Sequence, residues 1–481
     1  MNTDIERVPT GIPELDAVLR GGLIRQRVHL IEGRPGTGKT TLGLRYLIHG
    51  VSIGETCLYL TLSESREELL ATAKSHDWTL DGIVIEEIMP TAPDAPSSQT
   101  ILLPTDTELA ALVGRIADRI AASGARHVVV DSMVEVRLLA RDSAHYRRQV
   151  IDLRQRLAQI DSTVVLLDDL TSDGGEYELQ SAVHGVVTLE QLERGFGAAR
   201  RRLRIVKLRG GDFQSGWHDY AIKKSEILVF PSLIAHEHHR DDDGLDILSN
   251  VDSLDRLVGG ALIAGTSTML IGPSGVGKST LALQYALSVV KSGHHVGYFT
   301  FDESELTLRS RVVHGIQQDA ASDEQSFFHL HRVNPSRISP GEFIWNVRRV
   351  VEDRQARLII IDCINSYLDV IREEKSLLLQ MNELFSYLSN MNVTSIIVGA
   401  HSAGLDTSKE PDVLSIITDN IISLRYYEHE NVVRKAICAL KRRGGRHEHE
   451  VRALHLTDAG IEIGDRVAVP VSMSGVASLG F

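Results

Sequence analysis

Two stretches of this chain have the residue types and spacing of a phosphate cradle: "GRPGTGKT" at residues 33–40 and "GPSGVGKS" at 272–279. Both read Gly, four residues, then Gly-Lys and a hydroxyl residue, the P-loop pattern. Glycine lets successive backbone N–H groups converge on phosphate oxygens without interference from a Cβ. The spacing assigns nucleotide contacts to Gly36, Thr37, Gly38, Lys39, Thr40 and Thr41, and to Gly275, Val276, Gly277, Lys278, Ser279 and Thr280. Lys39 and Lys278 are the groups to reach the β- and γ-phosphates of ATP, and Thr40 and Ser279 the hydroxyls to hold Mg²⁺. Asp131 and Asp362 each end an apolar run ("VVVD", "IIID") and are the expected carboxylates of the magnesium shell.

Hydrolysis also needs a carboxylate to orient or deprotonate water. The candidates are Glu64 in "LSES" and Asp302 with Glu303 in "FDES". The competing reading of "SESREELL" is a helix start capped by Ser63 or Ser65. Two basic hooks complete the set: "KLRGG" at 207–211, which ends the run "RRRLRIVKLRGG", and "KRRGG" at 441–445. They stand at nearly equal distances past their P-loops. Their competing reading is a solvated basic hairpin.

The elements that must position these residues occur twice and in one order. "GIPELDAVLRGGL" (11–23) returns as "SNVDSLDRLVGGAL" (249–262), and "VHLIEGRPGTGKTTLGLRYL" (28–47) as "TMLIGPSGVGKSTLALQYAL" (268–287). "CLYLTLSES" matches "VGYFTFDES", "RHVVVDSM" matches "RLIIIDCI", and "STVVLLDDL" corresponds by position to "TSIIVGAHS". Short β-branched runs read as strands buried on both faces of a parallel sheet. Helical spacing appears between them in 107–123 and 342–354, so each half alternates strand and helix. The fold class is α/β: two tandem RecA-like P-loop domains, each a largely parallel sheet flanked by helices. The expected boundaries are 1–230 and 245–465, with a polar, His-containing linker at 231–244 and a flexible tail at 466–481.

Composition narrows the class. The 481 residues are 43 % hydrophobic and 24 % charged, as in a soluble globular protein. No apolar run is long enough to span a bilayer and the first residues, "MNTDIERVPTG", lack an apolar leader, so a cytoplasmic protein is expected. Cys57, Cys363 and Cys438 have no metal-type spacing and read as reduced thiols. A net charge of −13 makes broad nucleic-acid binding an unfavoured reading.

On the two P-loops, the Leu-Asp…Gly-Gly entries, the carboxylates after the next strand, Asp131, Asp362, "KLRG" and "KRRG", the chain resembles the KaiC family over about residues 8–465. That family comprises two-domain RecA-like ATPases related to a cyanobacterial clock protein. The resemblance implies a homo-oligomeric ring, six-membered in each tier, with ATP and Mg²⁺ between neighbouring protomers. It makes Lys207, Arg209, Lys441 and Arg443 fingers acting on the neighbour's phosphates. It also implies nucleotide contacts at Ser75 and Lys435, and at Leu208 and Arg442 within the hooks. The family usually has two consecutive glutamates after the strand. Here they are Ser63-Glu64 and Asp302-Glu303, so the first domain lacks the first-position base and the second has a shorter one. The family's adjacent Ser-Thr phosphorylation pair is Ser415-Ile416 here, leaving Ser415 as a single candidate for autokinase modification. The tail is unlike the segment used for KaiA binding, so no such partner is expected; a KaiB-like partner is compatible with the resemblance. Two other classes stay open: a nucleotide-gated assembly scaffold with negligible hydrolysis, and a DNA-acting RecA-like motor.

Overall fold

The β-branched runs form strands whose side chains are buried on both faces. Cys57–Thr61, His127–Asp131, Val296–Thr300 and Leu358–Asp362 are buried at every position. The computed structural model describes residues 5–88, 104–170, 176–193, 197–317, 324–370, 377–399, 417–457 and 460–467. Ser415 and the expected tail beyond residue 467 lie outside them. The chain divides into two units, Met1–Ser232 and Leu233–Phe481.

Apart from a short antiparallel pair, Arg7–Val8 with Leu23–Ile24, the strands of the first unit are β1 (Val28–Gly33), β2 (Cys57–Thr61), β3 (Ile83–Glu87), β4 (His127–Asp131), β5 (Thr163–Asp169), β6 (Gly185–Leu192), β7 (Arg200–Leu208), β8 (His218–Ile222) and β9 (Ile227–Phe230). These nine form one sheet in the order β9-β8-β7-β6-β1-β5-β4-β2-β3. From β6 to β3 all neighbours are parallel, and β7 to β9 extend the sheet antiparallel. The second unit contains β10 (Ser267–Ile271), β11 (Val296–Thr300), β12 (Phe328–Arg332), β13 (Leu358–Asp362), β14 (Thr394–Gly399), β15 (Asn420–His429), β16 (Val432–Arg442), β17 (Arg452–Thr457) and β18 (Gly460–Arg466). Their order, β18-β17-β16-β15-β10-β14-β13-β11-β12, repeats the first sheet strand for strand. The expected fold class is met in both halves.

Successive side chains of a strand point to opposite faces, so each sheet supports two cores. In β4, Val129 packs with one cluster while Val128 and Val130 pack with the other. In β13, Leu358 and Ile360 serve one cluster and Ile359 and Ile361 the other. Helices cover both faces, among them Lys39–Ser52, Pro104–Ser123, Lys278–Lys291 and Pro340–Asp353, the second and fourth falling on the expected helical segments. Burying each large aliphatic side chain contributes about 1.5–3 kcal/mol, which makes these cores the main source of cohesion.

Of the expected linker 231–244, residues from Leu233 onward belong to the second unit. There Asn390 Nδ2 donates to Ala235 O at 2.9 Å, and Arg357 donates twice to the Asp242 carboxylate, at 2.8 and 2.6 Å. Among the described residues no group of three or more His, Cys, Asp or Glu is arranged to hold a metal ion, and no helix is long and apolar enough to cross a membrane. The three cysteines are free, Cys57 and Cys438 being buried.

Candidate active site

A sheet that is parallel at its centre gathers the C-terminal ends of its strands along one edge, where ligands of α/β folds bind. Register makes this concrete: Asp131 lies level with Thr61 and with Leu167, and Gly33 with Asp169. In the second unit Asp362 lies level with Thr300. The loop after β1 turns into helix Lys39–Ser52 through Gly38, whose φ of 95° is a left-handed value open to glycine. Gly277, at φ 117°, plays the same part before helix Lys278–Lys291. Neither helix start has a side-chain cap, so its first N–H groups are offered to a ligand rather than to the chain.

Lys39 Nζ curls back over the loop and donates to Gly33 O at 3.0 Å and Arg34 O at 3.2 Å, and it pairs with Asp169. Thr40 Oγ1 donates to Asp131 Oδ2 at 2.8 Å, and Tyr59 OH donates to the same oxygen at 2.6 Å. Burial holds the Asp131 carboxyl above the usual carboxylate range, opposed by those two hydroxyls and Lys39. The second unit repeats the arrangement. Lys278 Nζ donates to Gly272 O and Pro273 O, both at 2.8 Å, and Tyr298 OH donates to Asp362 Oδ2 at 2.6 Å. Asp362 is likewise raised by burial, against hydrogen bonds from Tyr298 and Ser279. A hydroxyl and a buried carboxylate joined beside the loop lysine form a donor set that suits a hard, oxygen-seeking cation. The residues present therefore fit Mg²⁺ and a polyphosphate.

A cleft of about 380 Å³ opens on the first loop, lined by Gly36, Gly38, Lys39, Thr40, Thr41, His76, Arg201 and Ile222. Small-molecule sites occupy about 300–1,000 Å³. Thr37 lies beneath this surface, its carbonyl accepting from Tyr220 OH at 2.5 Å. In the second loop Val276 is fully buried and Gly275 has φ +75°, with Tyr426 OH next to it, donating to Ser274 O at 3.3 Å.

The acids differ between the halves. Helix Arg66–Ser75 is capped by Ser65, with Glu68 closing a capping box, so the cap role falls to Ser65 and not to Glu64. Glu64 is half-buried, and its Oε2 is buried without a hydrogen-bond partner. Burial first, then Asp131 and Glu68, raise its carboxyl above the usual value. In the second unit Asp302 is exposed and accepts from Ser366 Oγ at 2.8 Å. Glu303 is instead paired with Arg311 at 3.0 Å.

The hook cations bond to segments other than their own phosphate loops. Lys207 Nζ donates to Gln180 O, and Arg209 donates to Ser181 O at 3.1 Å; neither borders the first cleft. Lys441 Nζ donates to Thr418 O at 2.6 Å, and Arg443 faces Asp419 at 3.5 Å. Leu208 is buried, and Arg442 is spent on backbone carbonyls, including Ala261 O at 2.9 Å. Lys435 stands in β16 opposite Tyr426 of β15. Ser75 is exposed with its hydroxyl on Thr72 O at 2.7 Å, while the next residue, His76, borders the cleft.

Sequence reasoning missed Tyr59, Tyr298, His76, Arg201, Ile222, Asp169 and Arg311. The two tyrosines had a signal: each stands two residues before the end of its strand, in corresponding places ("CLYLT", "VGYFT"). The others carry no motif, even where they stand near a predicted residue, as His76 does beside Ser75 and Arg311 eight residues past Glu303.

The model of the KaiC ATPase family matches residues 8–234 and again 247–468. Circadian clock protein KaiC3 of Synechocystis sp. is 25 % identical over 480 residues, covering 96 % of this chain and 92 % of its own length. Circadian clock oscillator protein KaiC of Prochlorococcus marinus subsp. pastoris is 26 % identical over 479 residues, covering 96 % and 91 %. Its counterpart from Synechococcus elongatus is 26 % identical over 470 residues, covering 96 % and 89 %.

Proposed function

The chain belongs to the KaiC family of ATPases, and from that membership we propose that it binds ATP at two sites per chain and hydrolyses it within a homo-oligomeric ring. One observation carries the reading: the same constellation is assembled twice, a loop lysine on the loop carbonyls and a tyrosine on the strand-end aspartate. Lys39 and Lys278 bind the β- and γ-phosphates. Thr40 with Asp131, and Ser279 with Asp362, would hold Mg²⁺, which when bound neutralises charge between those phosphates. Glu64 in the first site, and Asp302 or Glu303 in the second, accept the proton of the attacking water.

Lys207 with Arg209, and Lys441 with Arg443, act on the phosphates of a neighbouring protomer. The position of Lys207 and Arg209 on carbonyls away from the first cleft supports that reading. A guanidinium or ammonium supplied in this way stabilises charge on the transferring phosphoryl group. A hexameric double ring, a clock-like or signalling role, a KaiB-like partner, a cytoplasmic location and autokinase transfer to Ser415 complete the proposal; no KaiA-type partner is included.

Phosphate release from Glu64→Gln and Asp302→Asn chains tests it. Each substitution is expected to lower the rate of its own site by about 100-fold. Unchanged rates in both would favour an assembly scaffold with background hydrolysis.

A further inference from the structure

The halves differ at the acids that follow the strand after each phosphate-loop helix. In the first, Ser63 precedes Glu64, so one carboxylate is available; in the second, Asp302 precedes Glu303, so there are two. Glu303 is engaged. Arg311 Nη1 donates to both of its oxygens at 3.0 Å, and Arg311 Nη2 donates to Thr280 Oγ1 at 3.2 Å. One guanidinium thereby ties helix Glu305–Gln317 to the helix that begins at the phosphate loop.

The corresponding helix of the first half runs in the same register. Ser65 Oγ accepts from Glu68 N at 3.3 Å and Ser304 Oγ from Thr307 N at 3.1 Å, so the two serines cap equivalent starts. Counted from those caps, the place of Arg311 is held by Thr72. No cation among the described residues forms an ion pair with Glu64.

We infer that Arg311 is a positioning residue that decides which carboxylate acts as base in the second site, a conclusion that rests on the ATPase reading above. A carboxylate whose two oxygens both accept from a guanidinium has its charge compensated and its orientation fixed. Glu303 then serves to anchor Arg311, which links the two helices, and Asp302 is left to take the proton. In the step, an O–H bond of water breaks as its oxygen bonds to the γ-phosphorus, and the proton passes to Asp302. The bond from that phosphorus to the bridging oxygen breaks, its electron pair leaving with ADP. Without the guanidinium, Glu303 would stand as Glu64 stands, unpaired beside its strand-end aspartate.

The test uses the full chain carrying Glu64→Gln, so that release from the second site dominates, with bound nucleotide quantified in every variant. Adding Asp302→Ser is expected to slow phosphate release by about 100-fold. Adding Arg311→Thr to that variant recreates the Ser-Glu-Thr set of the first half and should recover ~10-fold or more of the loss. Arg311→Lys in its place keeps a cation on Glu303 and should recover nothing. Arg311→Gln is carried in parallel, with the expectation of Arg311→Thr. The inference is overturned if Asp302→Ser retains the parent rate. It is overturned equally if neither neutral substitution exceeds Asp302→Ser at equal bound nucleotide. A parent chain with no bound nucleotide and no phosphate release overturns the ATPase reading itself, and the inference with it.

Discussion

Lys39 and Lys278 each close a phosphate loop on its own carbonyls, and each is the cation that polyphosphate would recruit. Replacing either with alanine is expected to remove one of two nucleotides from the purified chain, read by extraction and chromatography. Full occupancy in either variant would show that its loop holds no phosphate. Glu64 gives a pH prediction. Burial, Asp131 and Glu68 raise its carboxyl above the ordinary 4.5, and only the ionised form can accept a proton. As pH falls, first-site hydrolysis is therefore lost earlier than for an ordinary glutamate. In an Asp302→Asn background the acid limb should lie above pH 4.5; a limb at or below that value would remove Glu64 from the role. The lysines and hydroxyls were legible because a fixed loop geometry forces their spacing, and the aspartates because each ends an apolar run. Tyr59 and Tyr298 needed strand register before their hydroxyls could be placed on Asp131 and Asp362. Arg311 sits eight residues beyond Glu303 on a helix, with nothing local to mark it.

The helix after each loop must lie close against the sheet, or the loop is lifted from the strand ends. Gly50 shows how close. A Cβ there would fall 2.7 Å from Cys57 Sγ and 3.0 Å from His127 Cγ, whereas one on Gly114, in helix Pro104–Ser123, would meet nothing within 4 Å. Gly50→Ala is therefore expected to destabilise the first domain by about 1–3 kcal/mol. Gly114→Ala should stabilise it by up to about 1 kcal/mol through helix propensity. Urea unfolding of the two variants checks the opposite signs, and destabilisation by both would refute the packing argument. Strand-helix alternation was legible because a strand buried on both faces must be apolar throughout, as "VVVD" and "IIID" are. The antiparallel extension β7 to β9 was less so. Its first strand mixes charged with apolar residues, "RRRLRIVKL", and a basic run reads equally as a solvated hairpin.

Duplication explains how the molecule distributes its chemistry. Two sheets of identical strand order present the same edge, yet the first site has Ser63-Glu64 and the second Asp302-Glu303 with Arg311. The repeat was readable from six matched segments in one order. The proposed use of the hooks is not legible in a single chain, because a cation that served a neighbour would meet its phosphate only in the assembly. Arg209 and Lys441 rest on backbone carbonyls, at 3.1 and 2.6 Å, bonds that phosphate oxygens could outcompete. The most direct measurement mixes two full-length chains, both carrying Glu64→Gln to silence the first site. One carries Lys441→Ala and Arg443→Ala and the other Lys278→Ala, and mixed assemblies are verified by native mass. Each chain alone is expected to release almost no phosphate, and the mixture should regain part of the second-site rate, since one supplies the loop and the other the cations. Mixed assemblies as silent as their separate components would contradict the account.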